Sequence, residues 1–381
     1  MKIEQNRWTQ TRGWERGEPG KLGESAQLVM VFGSSTICRQ GALFHELKAT
    51  YPNAYICGCS TAGEIFGTEV SDEALVMTAI YFEYSRIKGT RAVIDRMEDS
   101  LNTGKRLAEQ LDQEGLVHVF VLSEGLCING SELVKGLTEV LRPGVSVTGG
   151  LSGDGDRFQS TYVIGDSEPQ TNQIVAIGMY GPALKVGYAS YGGWDSFGPE
   201  RLITRANENI LYEFDGKSAL ELYKRYLGEH AKGLPATGLL FPLQLRSDES
   251  EKGIVRTILA VNEADQSLTF AGDIPVGAYA RLMKANFDRL IDGAVEAAKR
   301  SHEGFYDTAP DLAILISCVG RKLILKQRVE EEVEGVHDIL GEKTVYTGFY
   351  SYGEICPFSR GQRCELHNQT MTITTVSEGM P

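Results

Sequence analysis

The sequence predicts an α/β protein with mixed sheets, built from three strand-loop-helix-strand units with antiparallel additions and arranged in two modules. A strand-like apolar run followed by a helical segment and a second strand recurs at three places. Each of these units ends in a small or glycine-rich turn. Between the units lie stretches rich in β-branched and aromatic residues, which are typical of antiparallel strands. A strand-helix-strand unit of this length packs most easily with its two strands parallel.

The three units follow one order along the chain. The first runs from QLVMVFG at residue 27 through the helical QGALFHELKAT to the strand AYICGC and the turn STAGEI. The second runs from HVFVLSEG at residue 118 through SELVKGLTEVL and VSVTGG to LSGDGD. The third runs from LAILISCVG at residue 312 through QRVEEEVEGVHDIL and TVYTGF to YSYGEI. Because loops at the carboxyl ends of parallel strands gather at one sheet edge, we expect the three turns to line one pocket.

The segments between the units complete the predicted sheets. LVMTAIYFEYSRIKGTRAVI, STYVIGD, QIVAIGMYG and LKVGYASYGGW have the composition of antiparallel strands. Two amphipathic helices are predicted, SALELYKRYLG near residue 218 and YARLMKANFDRLIDGAVEAAKRSHEG near residue 279, with their apolar stripes in the core. We place a domain boundary near residues 200–225. The predicted divisions are an N-terminal extension at 1–26 and modules at 27–215 and 216–381.

Composition narrows the classes of partner. A chain of 381 residues with 42% hydrophobic residues can form two domains with ordinary cores. A net charge of −13 and no Lys/Arg block argue against binding to nucleic acid or to an anionic membrane surface. The N-terminus has no signal-peptide run, and no apolar stretch approaches the roughly 20 residues that a bilayer span needs. We therefore expect a cytoplasmic protein whose partners are proteins or small molecules.

The seven cysteines do not form a disulfide or zinc pattern, because only Cys57 and Cys59 are close in sequence. A cysteine nucleophile needs a lowered pKa and a nearby base, usually histidine. Cys59, beside Ser60 and Thr61, and then Cys318 are the best placed, but neither has a histidine near it in sequence. Structural cysteines are therefore favoured. A cysteine-dependent hydrolase acting on a small amide or ester is the alternative function.

An ordered set of motifs resembles the FIST family of bacterial sensory proteins. The motifs are CSTAGEI, VLSEGLCINGSEL, TGGLSGD, GGW before DGKSALELY, GLLFPLQL, SCVGRK, and GFYSYGEICP followed by CELHNQT. The resemblance runs from about residue 27 to the C-terminus, through a FIST N and a FIST C module. It implies small-molecule sensing in bacterial signal transduction, with amino-acid-like ligands, or with haem and nitric oxide as in some members.

The resemblance implies no catalytic set, so we predict that the protein is not an enzyme. We expect no kinase, cyclase or chemotaxis output segment after the second module. We therefore expect the signal to pass to a separate signalling protein, such as a histidine kinase.

An amino-acid-like ligand carries an ammonium and a carboxylate, so its pocket needs an acid, a cation, polar donors and an apolar wall. The predicted ligand-binding residues, mostly from the unit-end turns, are Ser60, Thr61, Glu64, Ser123, Asn129, Ser152, Asp154, Trp194, Arg321, Tyr350, Ser351, Tyr352 and Glu354. The alternative is that Glu64 and Glu354 make local backbone hydrogen bonds and Arg321 pairs with a surface acid. Asp154 and Asp156 lack the rest of a calcium loop, which favours solvated turn acids.

Haem needs an apolar slot and normally an axial His, Cys, Met or Tyr. His118 lies in an apolar strand run, and His367 starts the strand-like LHNQTMTITTV. The other four histidines lie in polar-faced helices or near helix ends. His367 is therefore the first candidate for a haem ligand, and a hydrogen-bonded core histidine is the alternative.

Overall fold

The computed structural model describes residues 1–247, 253–303, 308–358 and 361–379. Over these residues the protein has mixed α/β architecture with four β-sheets, which confirms the predicted fold class. Three of the sheets have six strands each and together form what we call the three-sheet body. The fourth has eight strands and is built from residues 195–284, between the second and third units; we call it the fourth sheet.

The strands occur in runs that are separated by helices. Up to residue 191 they are β1 (Lys2–Thr9), β2 (Gly13–Trp14), β3 (Leu28–Ser34), β4 (Tyr55–Thr61), β5 (Glu64–Phe66), β6 (Glu69–Ser71), β7 (Ala74–Tyr81), β8 (Arg86–Val93), β9 (Leu116–Ser123), β10 (Ser146–Leu151), β11 (Val163–Gly165), β12 (Gln173–Tyr180) and β13 (Leu184–Tyr191). The fourth sheet contains β14 (Asp195–Asn207), β15 (Ile210–Phe214), β16 (Lys217–Ser218), β17 (Leu243–Arg246), β18 (Ile254–Arg256), β19 (Ile258–Asn262), β20 (Ser267–Phe270) and β21 (Tyr279–Lys284). The last strands are β22 (Leu312–Cys318), β23 (Val345–Ser351), β24 (Gly353–Pro357), β25 (Cys364–His367) and β26 (Met371–Glu378).

The helices lie between and beside these strands. They are α1 (Ser35–Cys38), α2 (Ala42–Thr50), α3 (Ser100–Glu109), α4 (Gly130–Val140), α5 (Ala219–Leu227), α6 (Phe287–His302), α7 (Val319–Leu325) and α8 (Val329–Leu340). Short 3-10 turns occur at Gly23–Ser25, Met97–Asp99, Gly228–Gly233, Ala236–Leu240 and Lys326–Arg328. Within the described ranges no helix combines the length and the apolar character that crossing a bilayer requires.

Each sheet of the three-sheet body is built around one parallel pair of strands. The pairs are β3 with β4, β9 with β10, and β22 with β23, as the repeated units predicted. An antiparallel strand, β7, β12 or β26, pairs with the first member of each parallel pair. The three units therefore share one local architecture.

The three sheets exchange strands in a closed cycle. The strand after the parallel pair of one unit joins another unit's sheet: β5 pairs with β23, β11 with β4, and β24 with β10. The first and last strands also approach each other, because the Met1 amine lies 3.5 Å from Glu378 Oε2. The pairings give the connections a threefold pattern, in which each turn leads from one sheet to the next.

A glycine at an equivalent place in each unit permits this packing. Gly58, Gly149 and Gly348 lie in the second strand of the three parallel pairs. A Cβ atom at any of them would lie 2.0 Å or less from a carbonyl oxygen of the partner strand, that of Val31, Val121 or Leu315. No larger residue fits without separating the two strands, so the repeated glycines have a structural cause.

The core of the body lies where the inner faces of the three sheets meet. Residues from every parallel pair share one apolar cluster, which includes Met30, Phe32, Phe120, Leu122, Ile314, Ile316 and Phe349. The rings of Phe32 and Phe349 are 4.7 Å apart. The outer faces are covered by α2 on the first sheet, by α3 and α4 on the second, and by α6 and α8 on the third.

The fourth sheet includes a correction to the predicted helix near residue 279. Residues Tyr279–Lys284 form β21, and the helix begins only at Phe287, after Asn286, whose side chain accepts a hydrogen bond from the Arg289 amide. The β21 segment pairs with both β14 and β17. Alternate residues Ala280 and Leu282 are buried against this sheet, so pairing between strands overrides the local helical pattern.

Candidate ligand-binding site

The three unit-end turns converge at one place in the body. We call residues 60–65, 149–156 and 350–355 the turn cluster. Hydrogen bonds join all three: Ser60 Oγ to Gly153 O at 2.7 Å, Ala62 N to Tyr350 O at 2.8 Å, and Tyr352 N to Leu151 O at 3.3 Å. All the predicted ligand-binding residues in the cluster are buried, with Tyr352 the most exposed of them at 7%.

Glu64 is held entirely by neighbouring groups. Its side chain is 0% exposed, and it accepts hydrogen bonds from Thr61 Oγ1 at 2.5 Å and from the Ala74 amide at 3.2 Å. Burial raises the pKa of this carboxyl well above its usual range, although both hydrogen bonds oppose the shift. These contacts are the local role that the sequence allowed as the alternative to ligand binding.

Glu354 repeats this arrangement in the third unit. It accepts from Ser351 Oγ at 2.7 Å and from Thr370, through the amide at 3.2 Å and Oγ1 at 2.9 Å. Burial raises the pKa of Glu354 from 4.5 to about 8. In both turns the glutamate therefore binds the hydroxyl three residues earlier and an amide at or just before the next antiparallel strand.

The turn of the second unit departs from this pattern, because Gly155 stands where the other turns carry glutamate. The buried hydroxyls of Ser152 and Ser123 have no hydrogen-bond partner among the described residues. Asp154 instead accepts from the amides of residues 158–160 and from Tyr352 OH. Burial alone would raise the pKa of Asp154, but these hydrogen bonds outweigh it and hold the pKa below its usual range.

Arg321 belongs to a buried ion pair. Its guanidinium donates to Glu332 Oε2 from Nε at 3.0 Å and from Nη2 at 2.7 Å, and both side chains are 0% exposed. The terminal nitrogens also donate to the backbone carbonyls of Gly192 at 2.5 Å and Leu290 at 2.7 Å. Glu332 Oε1 accepts from the hydroxyls of Ser317 and Tyr350. The partner acid is thus a core residue rather than the surface acid that the sequence suggested.

Asn129 caps a helix. Its side-chain oxygen accepts from the amides of Ser131 at 3.1 Å and Glu132 at 3.2 Å, at the start of α4. Its amide nitrogen donates to Asp273 Oδ1 at 2.8 Å, in the segment that follows β20. The residue therefore connects α4 of the body to the fourth sheet.

Trp194 and His367 lie instead on a cleft between the body and the fourth sheet. The cleft has a volume of about 610 Å³, and we call it the α6 cleft. Its lining residues are Ser190, Tyr191, Gly192, Gly193, Trp194, Gln244, Gly253, Val255, Met283, Arg289, Asp292, Gly293, Val295, Glu296, Lys299, Arg300, Phe358, His367 and Thr370. Trp194 and His367, which were predicted to bind a ligand and a haem, respectively, both line this cleft.

The glycine pair before Trp194 sets its position. Gly193 has φ of +81°, and a Cβ there would lie 1.9 Å from the Arg289 carbonyl oxygen, so the turn packs directly on α6. Trp194 is 8% exposed, and its Nε1 donates to the Gln369 carbonyl at 2.8 Å. The indole is thus fixed as one wall of the α6 cleft.

The face of α6 that lines the cleft carries charges of both signs. Arg300 Nε lies 2.6 Å from Glu296 Oε1, and its guanidinium stacks 5.0 Å from the centre of the Tyr191 ring. Asp292 and Lys299 are exposed, and neither has an ion pair or a side-chain hydrogen bond within the described residues. An acid and a base seven residues apart share one face of a helix. Sequence reasoning missed both, because it assigned this helix to the core.

His367 is a neutral imidazole at the inner side of the cleft. It is 2% exposed, and burial lowers its pKa to about 4. Nε2 lies 2.8 Å from the Cys356 carbonyl oxygen, which only accepts, so Nε2 carries the proton and Nδ1 is an acceptor. The residue ends β25 rather than starting the last strand, which begins at Met371.

These residues do not fit a haem. A porphyrin requires an apolar slot with an accessible axial ligand. The charged face of α6 forms one wall of the cleft, and the Nε2 proton of His367 is already donated to the backbone. The ring edge also packs against Phe358, 4.6 Å between centres.

The two cysteines considered as nucleophiles are not activated. Cys59 and Cys318 are 0% and 3% exposed, and burial raises the pKa of both thiols. The reactive thiolate is therefore disfavoured at each position. No group of three or more His, Cys, Asp or Glu side chains in the described part of the chain is placed to hold a metal ion.

Comparisons with known proteins identify the family. An uncharacterized protein of Methanocaldococcus jannaschii is 24% identical over 367 residues, which span 90% of this chain and 69% of that protein. The crystal structure of a cyanuric acid hydrolase from A. caulinodans aligns over 100% of this chain and 99% of that one, at 8% identity and a TM-score of 0.35, which is too low to support an inference. The FIST N domain model matches residues 27–217 and the FIST C domain model matches residues 219–357. The chain belongs to the FIST family, whose domains are sensor domains of signal transduction.

Proposed function

We propose that the protein is a cytoplasmic sensor that binds a small zwitterionic, amino-acid-like molecule in the α6 cleft and does not convert it. Membership of the FIST family supports the sensory role. The observation that carries the choice of site and ligand is the pair of available charges on α6, Asp292 and Lys299, beside an aromatic wall. A zwitterion supplies a partner for each charge.

The lining suggests a role for each group. Lys299 and the adjacent Arg300 bind the ligand carboxylate, and Asp292 binds its ammonium group. Trp194 and Tyr191 cover the apolar part of the ligand, as aromatic residues commonly do in such sites. His367 has Nδ1 as an acceptor for a ligand hydroxyl or N–H group.

The position of the cleft suggests how binding is transmitted. The lining includes residues of the body, such as Asp292, and of the fourth sheet, such as Met283. A ligand that contacts both the body and the fourth sheet favours the conformation in which these two parts are closest. Binding then raises the population of a conformation that already exists in the free protein. A separate signalling protein, such as a histidine kinase, then recognises that arrangement.

A thermal-shift screen with the common amino acids and related zwitterions tests the proposal, and calorimetry on the best ligand then gives its affinity. We expect Asp292→Asn and Lys299→Gln each to weaken binding by about tenfold or more, because each removes a charge-assisted contact. Lys343→Gln, at another exposed lysine, is the matched control and should bind normally.

Two outcomes would replace the proposal. Unchanged affinity in both α6 variants would place the ligand elsewhere. A Soret band in protein expressed with a haem supply, lost in His367→Ala, would make the protein a haem sensor instead.

A further inference from the structure

A second cleft lies between the body and the fourth sheet, next to the first. It has a volume of about 960 Å³ and is lined by residues of α4, β25 and the fourth sheet, among them Ser131, Leu245, Arg256, Asp273, Arg363 and Glu365. We call it the Arg256 cleft. Successive residues of β18 point to opposite sides, so Val255 lines the α6 cleft while Ile254 and Arg256 line this one.

Arg256 is a buried cation held by neutral groups. Its side chain is 4% exposed, and burial lowers its pKa to about 10, so it stays charged at neutral pH. Nε donates to the Asp273 carbonyl at 3.3 Å, Nη1 to the Leu366 carbonyl at 2.8 Å, and Nη2 to Ser131 Oγ at 3.4 Å. A guanidinium has five N–H groups, so each terminal nitrogen keeps one that is unused among the described residues.

The other bases on this cleft already have acidic partners. Lys135 lies 3.2 Å from Glu132, Arg246 is 2.6 Å from Glu200, and Arg363 is 3.7 Å from Glu365. Arg256 has no carboxylate within ion-pair distance in the described part of the chain. Arg321, equally buried, shows the usual solution, because Glu332 neutralises it.

The acids that act on the charge of Arg256, Asp273 and Glu365, interact with it only from beyond ion-pair distance, and burial still lowers its pKa. The buried charge is therefore only partly compensated, and an anion in the adjoining cleft would add to that compensation. A guanidinium with an N–H group left on each terminal nitrogen can donate to both oxygens of a carboxylate. Glu132, Asp273 and Glu365 also line the cleft, and they repel a dianion such as phosphate more strongly than a monoanion. We propose that the Arg256 cleft is a second binding site, for a small monocarboxylate held by Arg256 and by the hydroxyl of Ser131.

Acetate is the probe that tests this site. Saturation-transfer NMR on the full-length protein, at constant ionic strength set with sodium chloride, measures its binding over the millimolar range. We expect Arg256→Met to weaken acetate binding by at least about tenfold, through loss of the charge-assisted contacts. Arg363→Met, at an exposed arginine of the same cleft, is the matched control and should change it by less than about threefold.

Further variants keep the test decisive if Arg256→Met does not fold. Arg256→Lys keeps the charge but loses the planar fork, and Ser131→Ala removes only the hydroxyl; both should weaken acetate binding by smaller factors. Acetate binding that is absent in the natural protein, equal in the Arg256 variants, or weaker than that of inorganic phosphate would overturn the proposal. Lys299→Gln should leave acetate binding intact, which separates this site from the carboxylate-binding end proposed for the α6 cleft.

Discussion

The turn cluster and the α6 cleft differ in how their charged groups are used. In the turn cluster Glu64 and Glu354 are 0% exposed, and each is bonded to a nearby hydroxyl and an amide. In the α6 cleft, Asp292 and Lys299 are exposed and have no ion pair or side-chain hydrogen bond with any described residue. The turn cluster contains one turn from each of the three repeated units. The α6 cleft lies between the body and the fourth sheet, which is not part of the repeat. The residues that recur among the three units, such as Glu64 and Glu354, therefore have structural roles. The exposed charges suited to ligand binding lie outside the repeated units, where the fourth sheet packs on the body.

The strongest test of the structural role is the ion pair that supports the turn cluster. We expect Glu332→Ala to lower the free energy of unfolding by about 3–5 kcal/mol, because it leaves the Arg321 guanidinium buried without its acid. Denaturant titration measures the change. Glu334→Ala, at an exposed glutamate of the same helix, is the control.

A double variant at Arg321 and Glu332 tests whether the cost comes from the unpaired buried charge. Replacing the pair together, as Arg321→Met with Glu332→Leu, should recover much of the lost stability, because no buried charge remains. A Glu332→Ala protein as stable as the natural one would show that the pair is not structural.

The next effect is a pH dependence of stability that comes from Glu354. Its pKa is about 8 in the folded protein against an ordinary 4.5, so between these values the folded state keeps a proton that the unfolded state has lost. Stability should therefore fall as pH rises through this window, by up to about 1.4 kcal/mol per pH unit from this group. Glu354→Gln cannot titrate, and it should reduce the slope in melts from pH 5 to pH 8, whereas Glu334→Gln should not. An unchanged slope would mean that Glu354 is charged in the fold.

A smaller effect is expected at the junction between α4 and the fourth sheet. Asn129→Ala removes a helix cap and should cost about 1 kcal/mol of unfolding free energy. Asp273→Ala breaks the link to Asn129 but leaves the cap, so it should cost less. Thermal and denaturant unfolding of the two variants decide the order, and a larger cost for Asp273→Ala would contradict the capping role.

The smallest effect concerns the thiols. Cys127 is exposed, and the other six cysteines are buried. Iodoacetamide should therefore modify the native protein at Cys127 first, as peptide mass spectrometry can show, and leave the affinity for the α6 ligand unchanged. Loss of an ester or amide hydrolysis activity after alkylation would instead support a cysteine-dependent hydrolase.

The architecture was predictable where its cause is local. Alternating apolar runs and glycine-rich turns indicated three parallel pairs, and all three are present. The exchange of strands between the sheets was not predictable. Ile65 pairs with Gly348, which is far away in sequence, and the residues around either position do not indicate which strand will be the partner. The error at β21 has the same origin, since strand pairing decided its conformation.

The candidate site was predictable only in part. Trp194 and His367 were identified from the chemistry of their side chains, and both line the α6 cleft. Asp292 and Lys299 lie on a helix whose apolar stripe suggested only a core role. Arg256 did give a signal, as a cation within the apolar strand-like run IVRTILAV. What the sequence could not supply was the cleft itself, which arises from the packing of the fourth sheet on the body.

Two acids, the buried Glu64 in the turn cluster and the exposed Asp292 in the α6 cleft, make different predictions for the binding of one ligand. Isothermal titration of the ligand found in the screen, with Asp292→Asn and with Glu64→Gln, asks whether the α6 cleft or the turn cluster binds it. We predict that Asp292→Asn loses about tenfold or more in affinity and that Glu64→Gln stays within about twofold of the natural protein. A tenfold loss in Glu64→Gln, with normal binding in Asp292→Asn, would place the ligand in the turn cluster and rule out the α6 cleft as its site.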